Sequence, residues 1–108
     1  MSRPLKVVEI VNGVPSFAEM ADDLDAMQSK VGGYVEMVPL TSGLYLWVNE
    51  EGMLHGLPFN ALVRTDTGQL PVVGNCFVTR VNRAGDCISV KDADMPIVRK
   101  CLGLGELH

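Results

Sequence analysis

The chain has 108 residues, of which 47% are hydrophobic and 20% are charged. This length and apolar content favour one domain with a packed core and exclude a chain that is disordered by composition. The formal net charge of −4, from 9 basic and 13 acidic side chains, argues against direct binding to nucleic acid or to an anionic membrane. We predict a single domain over residues 1–108, with its core at residues 5–102.

The N-terminal segment and the uncharged stretches indicate a cytoplasmic protein. Glu9 interrupts the apolar run that a signal peptide needs. The uncharged stretch at residues 37–49 is too short to span a bilayer. Cys76, Cys87 and Cys101 have neither CxxC spacing nor another short metal-ligand spacing. We expect these cysteines to be reduced and mostly buried.

The first third of the chain predicts a strand followed by a helix. Leu5–Val11 is rich in β-branched residues, which is typical of a strand. Ser16 and Glu19 fit the S-x-x-E capping box of a helix start. Apolar residues then recur at helical spacing: Phe17, Met20, Ala21, Leu24, Met27 and Val31. We therefore predict an amphipathic helix that begins at Ser16 and that Gly32-Gly33 terminates.

Two strands are predicted next, at Tyr34–Leu40 and Leu44–Asn49, joined by a short turn that ends in glycine. The second strand is apolar on both faces, with Leu44, Leu46 and Val48 on one face and Tyr45 and Trp47 on the other. Such a strand is central in a sheet, or one of its faces meets a partner chain. We expect self-association of the chain as a dimer.

The remaining elements give a fold class. They are an irregular segment at Met53–Arg64, strands at Val72–Val81 and Cys87–Val90, and a helix at Ala93–Leu102. Gly74 is expected to be a bulge in the first of these strands, and Asp92 to cap the helix. The order of elements predicts an α+β fold, with two helices packed on a mainly antiparallel sheet of about five strands.

The densest polar cluster follows the strand that ends at Asn49. In one interpretation, Glu50 or Glu51 binds a cation or a basic partner, or acts as a base; in the other, Asn49–Gly52 is simply a β-turn. His55, with two nearby glutamates, falls short of the three or four ligands of a zinc site. Phosphate-binding loops and the GxSxG motif are absent. We predict no metal, no cofactor and no catalytic residue.

Basic charge is concentrated in the second part of the chain. Residues 1–60 carry 3 basic and 8 acidic side chains, whereas residues 61–108 carry 6 basic and 5 acidic ones. Any anionic ligand would therefore favour this part of the chain, near Arg64, Arg80 and Arg83; the alternative is ordinary solvated charge. Trp47 with Tyr45 and Tyr34 forms either a stacking platform for a nucleotide base or ordinary packing of the sheet against a helix or a subunit.

Several short segments occur in a recognisable order. They are Leu24, Gln28, Val31-Gly32-Gly33-Tyr34-Val35-Glu36, Asn49-Glu50-Glu51-Gly52, Leu57-Pro58 with Asn60, and Val73-Gly74. Together they resemble a family of small domains of unknown function carried by bacteriophages, plasmids and actinobacterial genomes, over roughly residues 5–95. The resemblance implies a phage or mobile-element accessory protein in a bacterial cytoplasm, and it transfers no catalytic residue.

Gln28, Glu36 and Asn60 leave two roles open. If they hold the segment at residues 53–64 through hydrogen bonds to its backbone, they are structural. If they line a cleft with Asn49 and Glu50, they are candidates for gripping a ligand.

Our leading hypothesis is a non-enzymatic accessory protein that binds a host protein or a small anionic or nucleotide ligand, with a possible role against host defence. The candidate binding residues are Asn49, Glu50, Asn60, Arg64, Arg80, Arg83, Tyr45 and Trp47. The alternative is a small metal-assisted hydrolase or nuclease-like enzyme that uses Glu50, Glu51, His55 and Asn60. A third hypothesis, DNA mimicry by Glu19, Asp22, Asp23 and Asp25, has too few carboxylates to be convincing.

Overall fold

The computed structural model describes residues 4–104 of the chain. The strands in this range are β1 (Pro4–Val11), β2 (Val14–Ala21), β3 (Val35–Pro39), β4 (Leu44–Asn49), β5 (Phe59–Thr65), β6 (Gly68–Val73), β7 (Cys76–Val81) and β8 (Cys87–Ile88). The helices are α1 (Leu24–Val31) and α2 (Asp94–Cys101). The predicted α+β class is confirmed. Neither helix in the described range has the length and apolar content needed to cross a membrane.

The strands form two antiparallel sheets. In the main sheet the order is β2-β1-β7-β4-β3, with β8 added beside β7, whereas β5 and β6 form a separate hairpin. The register places Val8 opposite Val78, Val78 opposite Leu46, and Leu46 opposite Val38. The row is therefore aliphatic across β1, β7, β4 and β3, and this apolar surface needs a covering layer.

Elements of the same chain pack on both faces of the main sheet. The β5–β6 hairpin and α2 pack on the face that carries Val8 and Leu46, which we call the hairpin face. On the opposite face, which we call the α1 face, Met27 and Val31 of α1 pack near Phe77. Strand β4 is central, as predicted, because it lies between β7 and β3. Its two apolar faces are satisfied by layers of the same chain.

The helix predicted to begin at Ser16 is wrong in its first half. Residues 14–21 form β2, which pairs with β1 along its whole length. Asn12 and Gly13 have positive φ angles of 51° and 75°, the geometry of a tight hairpin turn that the Asn-Gly pair favours. An eight-residue ladder of backbone bonds therefore outweighs the helical spacing of the apolar residues. The observed helix starts at Leu24, after Asp23, whose carboxylate accepts a hydrogen bond from the Ala26 amide.

The segment at Met53–Arg64 is irregular only up to Pro58, because β5 begins at Phe59. The single strand predicted at Val72–Val81 is also wrong: β6 ends at Val73 and β7 begins at Cys76. Gly74, between them, has a φ of +75°, and a Cβ there would come within 2.6 Å of the Leu57 side chain. The chain therefore breaks and turns at Gly74, whereas a bulge would have kept one strand.

The start of the last helix differs from the prediction. Ala93 is the N-terminal residue flanking α2, and no side chain caps it. Asp92 does not cap the helix; its exposed carboxylate pairs with Lys6 instead. Pro96 does lie in the first turn, as predicted, where a missing N–H costs least.

All three cysteines are free, and two of them, Cys76 and Cys101, are buried. Burial raises the pKa of the Cys76 thiol to about 12. The prediction that the cysteines are mostly buried is confirmed. A thiol with so high a pKa stays protonated near neutral pH and is a poor nucleophile.

Candidate functional site

Asn60 lies at a buried junction and is 7% exposed. Its amide nitrogen donates to the carbonyl oxygens of Ile10 at 2.7 Å and Gly74 at 2.8 Å, and its amide oxygen accepts from the Gly13 amide at 2.8 Å. We call Asn60 with these three partners the Asn60 junction. It ties β5 to β1, to the β1–β2 turn and to the β6–β7 turn. The role that the structure gives Asn60 is therefore structural.

Asn49 is also buried and also bonded to the backbone. Its amide nitrogen donates to the Val31 carbonyl at 3.1 Å, and its oxygen accepts from the Glu51 amide at 2.8 Å. The Gly52 amide donates to the Asn49 carbonyl at 3.2 Å, which closes the predicted β-turn. Asn49 thus links the end of α1 to the turn after β4, and Glu50 is left exposed at that turn.

A groove of about 390 Å³ lies next to this turn, and we call it the β6 groove. Its lining comes from β3 and the end of β4, from the following turn and from the β5–β6 hairpin. The residues are Glu36, Val38, Val48, Asn49, Glu50, Gly52, Met53, Thr65, Thr67, Gly68, Gln69, Leu70, Pro71, Val72 and Val73. The charged members are two carboxylates, and no lysine, arginine or histidine is among them. The groove therefore has an acidic rim over an aliphatic floor.

The two long walls of the groove differ in kind. All six residues of β6 line it, whereas β3 contributes only Glu36 and Val38. Successive residues of a strand point to opposite faces. A wall formed by consecutive residues is therefore a strand edge, and a wall formed by alternate residues is a sheet face. The groove runs between the free edge of β6 and the hairpin face of β3.

Both ends of the groove are fixed by contacts of the backbone. At one end the Asp66 amide, in the β5–β6 turn, donates to the Leu40 carbonyl at 3.1 Å. At the other end Gly52 packs so closely on Val73 that a Cβ would come within 2.9 Å of its side chain. The hairpin is thus held to the main sheet at two points, with the groove between them.

A second hollow, of about 380 Å³, lies between α2 and the loop after β3, and we call it the α2 depression. It is lined by Leu40, Thr41, Ser42, Arg64, Thr65, Asp66, Ile97, Lys100 and Cys101. Within residues 4–104, neither Arg64 nor Lys100 forms an ion pair. Sequence reasoning missed Lys100, although a basic residue in the last turn of the predicted helix was a signal.

Arg64, Arg80 and Arg83 do not form one cluster around a hollow. Arg80 donates two hydrogen bonds to Asp94, at 2.8 and 2.6 Å, and a third to the Ser42 carbonyl at 3.0 Å. Asp94 is 1% exposed, and the Arg80 guanidinium lowers the pKa of its carboxyl. Arg80 therefore anchors α2 to the sheet. Arg83 lies on the exposed turn after β7 and lines neither hollow.

Trp47 and Tyr45 point to the α1 face, away from the β6 groove. The Trp47 ring stacks on Phe77, with centroids 6.1 Å apart, and its indole N–H donates to the Thr79 hydroxyl at 2.9 Å. Tyr45 stands opposite Thr79 in the ladder. Both rings are half-buried, so the stacking partner of Trp47 belongs to the chain itself.

The residues of the alternative hydrolase do not converge. His55 and Glu51 approach to 3.7 Å on an exposed turn, whereas the Asn60 amide is occupied at its junction. In the described part of the chain, no group of three or more histidine, cysteine or carboxylate side chains is placed to hold a metal ion. Of the acidic residues considered for DNA mimicry, Glu19 lies on β2 and Asp23 caps α1.

No curated protein and no solved structure matches this chain. A family model described as a domain of unknown function, DUF3846, matches residues 5–102. This span includes both hollows and every candidate binding residue named above. Because the match covers almost the entire chain, the chain belongs to the DUF3846 family.

Proposed function

We propose that this protein is a non-enzymatic binding protein whose ligand site is the β6 groove. The observation that carries the proposal is a groove of about 390 Å³ in which two carboxylates stand over an aliphatic floor. Small-molecule and peptide sites are typically of this size, with a few polar groups on an apolar lining. Because Glu36 and Glu50 are the only charged side chains in the described lining, the ligand carries positive charge.

The lining supports binding better than chemistry. Its side chains with hydroxyl or amide groups are Thr65, Thr67, Asn49 and Gln69. Nucleophilic catalysis needs a nucleophile within hydrogen-bond reach of an activating base, and no hydrogen bond joins either threonine hydroxyl to Glu36 or Glu50. The Asn49 amide is already bonded to the backbone.

A titration of the ¹⁵N-labelled protein with N-acetyl-arginine amide tests the proposal. We expect chemical-shift changes of amide resonances concentrated at Glu36, Val48, Gly52 and Leu70. The changes with N-acetyl-glutamate amide should be smaller. Replacing Glu36 and Glu50 together by glutamine weakens the arginine response, whereas Glu19→Gln, on the far edge of the main sheet, leaves it unchanged. Shifts spread over the surface, or a response that is the same in the double variant, would refute the site.

The α2 depression supports a second candidate function, the binding of a small organic phosphate or other anion. Arg64 and Lys100 both line it without an ion-pair partner in the described range, and Thr41, Ser42 and Thr65 supply hydroxyl groups. Asp66 opposes an anion there. Titration with inorganic phosphate and adenosine monophosphate tests this function. Arg64→Ala abolishes a specific response and Arg83→Ala, outside the depression, preserves it; equal losses in both variants would rule the depression out.

We also propose that the protein is an accessory factor of a phage or mobile element, acts in a bacterial cytoplasm and counters host defence by binding. The sequence resemblance to small phage and plasmid domains supports this setting. Phage or mobilisation genes on both sides of its own gene are the expected finding, and a conserved run of metabolic genes would contradict it. The dimer stays a prediction, which light scattering at micromolar concentration tests through the solution mass.

A further inference from the structure

We infer that the ligand of the β6 groove is a basic, extended segment of another protein, which adds to the β5–β6 hairpin as a third strand. The inference rests on the proposed function and names the class of partner. Three features carry it: the free backbone of the β6 edge, the uncovered part of the hairpin face, and the charge of the rim.

The edge of β6 that lines the groove has backbone groups to offer. The pairing places Thr65 opposite Gly68 across a two-residue turn, and Leu62 opposite Pro71. In an antiparallel hairpin, hydrogen-bonded and non-hydrogen-bonded pairs alternate from the turn onwards. Gln69 and Pro71 therefore belong to non-hydrogen-bonded pairs, and their backbone groups point away from β5. Pro71 loses no ladder bond by lacking an N–H at this position.

The outward groups of β6 match what an added strand requires. Gln69 presents both an N–H and a carbonyl, and Pro71 presents a carbonyl. Within residues 4–104, β6 pairs with no strand except β5. A strand edge with free donors and acceptors is a template for another strand, and peptide-binding domains use such edges for recognition.

The aliphatic floor of the groove provides a surface against which a third strand can pack. Val38 and Val48 belong to the hairpin face of the main sheet, and Val38 is only half-buried. A strand beside β6 extends the β5–β6 hairpin over this part of the main sheet, at the usual separation of packed sheets, about 10 Å. Its alternate side chains then cover Val38. The six residues of β6 span about 20 Å, which suits a segment of five or six residues.

The charge of the rim selects the partner. Glu36 stands on the hairpin face opposite Val48, at the point where the hairpin no longer covers the sheet, and Glu50 follows the end of β4. A lysine or arginine on the added strand pairs with these carboxylates. A second copy of this chain, with its net charge of −4, is disfavoured by repulsion. The occupant is therefore a basic segment of a different protein.

The test uses a hexapeptide of alternating lysine and valine, blocked at both ends, with the intact protein. We expect saturable binding and slower hydrogen exchange at the Gln69 amide. Two isomers of the peptide carry N-methyl groups on alternate backbone nitrogens, either the odd or the even ones. Because a strand bonds its neighbour through every second residue, one isomer should lose about tenfold in affinity and the other should not.

Variants of the protein test the charge. Glu36→Gln and Glu50→Gln should each weaken the peptide about two- to fivefold, whereas Glu19→Gln, an exposed carboxylate on the opposite edge strand, should have no effect. A peptide in which glutamate replaces lysine should not bind. If Glu36 served only to keep its edge from aggregating, Glu36→Gln would increase self-association and leave peptide affinity unchanged, which overturns the inference.

The failure of this inference differs from the failure of the proposed function. Equal binding of both N-methylated isomers, absence of peptide binding, or protection at β2 in place of Gln69 overturns strand addition. If N-acetyl-arginine amide still shifts the groove resonances in that case, the groove remains a ligand site. If neither probe affects the groove, both proposals fall.

Discussion

The Asn60 junction and the β6 groove both contain polar residues that the sequence singles out, but they use them in opposite ways. At the junction one amide makes three hydrogen bonds to backbone groups of three different turns and strands. At the groove Glu36 and Glu50 are exposed on the rim. The contrast teaches that a polar side chain next to a strand becomes a candidate for binding only after its hydrogen-bonding capacity inside the chain has been counted.

Removal of the Asn60 amide should give the largest effect. Asn60→Ala removes three hydrogen bonds at a buried position, from the Gly13 N–H and to the Ile10 and Gly74 carbonyls, and it should lower the free energy of unfolding by roughly 3–5 kcal/mol. Urea denaturation measures the loss. Asn75→Ala, at an exposed neighbouring position, is the matched control. If Asn60→Ala lowered the free energy of unfolding by less than Asn75→Ala does, the structural role of the Asn60 junction would be refuted.

The turn that Asn60 holds can be tested separately. In Gly74→Ala the new methyl group meets Leu57 within 2.6 Å at a φ of +75°, and stability should fall by roughly 2–4 kcal/mol. Gly56→Ala has a similar positive φ but open space around it, so it should lose only about 1 kcal/mol. The difference between the two variants in thermal unfolding isolates the packing of Leu57. Equal losses would show that backbone conformation alone matters.

The ion pair between Arg80 of β7 and Asp94, the first residue of α2, can be tested through its dependence on pH. Arg80 lowers the pKa of Asp94 in the folded protein, so the pair stabilises the fold at neutral pH, and this contribution is lost as the pH falls below about 4. Asp94→Asn should cost roughly 2 kcal/mol at pH 7. The difference in the free energy of unfolding between Asp94→Asn and the unchanged protein should become smaller as the pH is lowered. Asp92→Asn, which removes an exposed carboxylate, should show neither effect in urea titrations at the two pH values.

The smallest effect on stability is expected for the two carboxylates of the β6 groove. Glu36→Gln and Glu50→Gln should change the free energy of unfolding by less than about 0.5 kcal/mol, because neither carboxylate forms a hydrogen bond or ion pair in residues 4–104. The variants keep the fold and lose only the response to a basic ligand. If either variant lost as much stability as Asn60→Ala, its carboxylate would be structural.

Local patterns predicted part of this molecule well. The strands at β1, β3, β4 and β8, and the end of α1 at Gly32, follow from alternation, β-branched residues and glycine. The helix predicted from Ser16 failed because Phe17 and Met20 suit both a helix and a strand. Pairing with β1 decided between them, and it places Phe17 opposite Val8 and Met20 opposite Leu5.

The candidate site was predicted only in part. Glu50 does lie on a groove, and Glu36, left open between two roles, lies there too. Arg80 was expected to face a ligand, but a buried carboxylate fourteen residues later holds it. The hairpin that forms one wall was missed, because Gly68 and Pro71 interrupt the usual signals of a strand. No spacing along the chain indicates that β6 lies over β3.

The sequence by itself determined the α+β class and the acidic balance of the chain, and it reduced the place of β4 to two alternatives. These follow from composition and from periodicities of two to four residues, which act locally. Only the tertiary structure decided which polar side chains form hydrogen bonds or ion pairs within the chain and which can bind a ligand. That distinction depends on contacts such as Asn60 with Ile10 and Arg80 with Asp94, whose partners are brought together by sheet packing and lie far apart in the sequence.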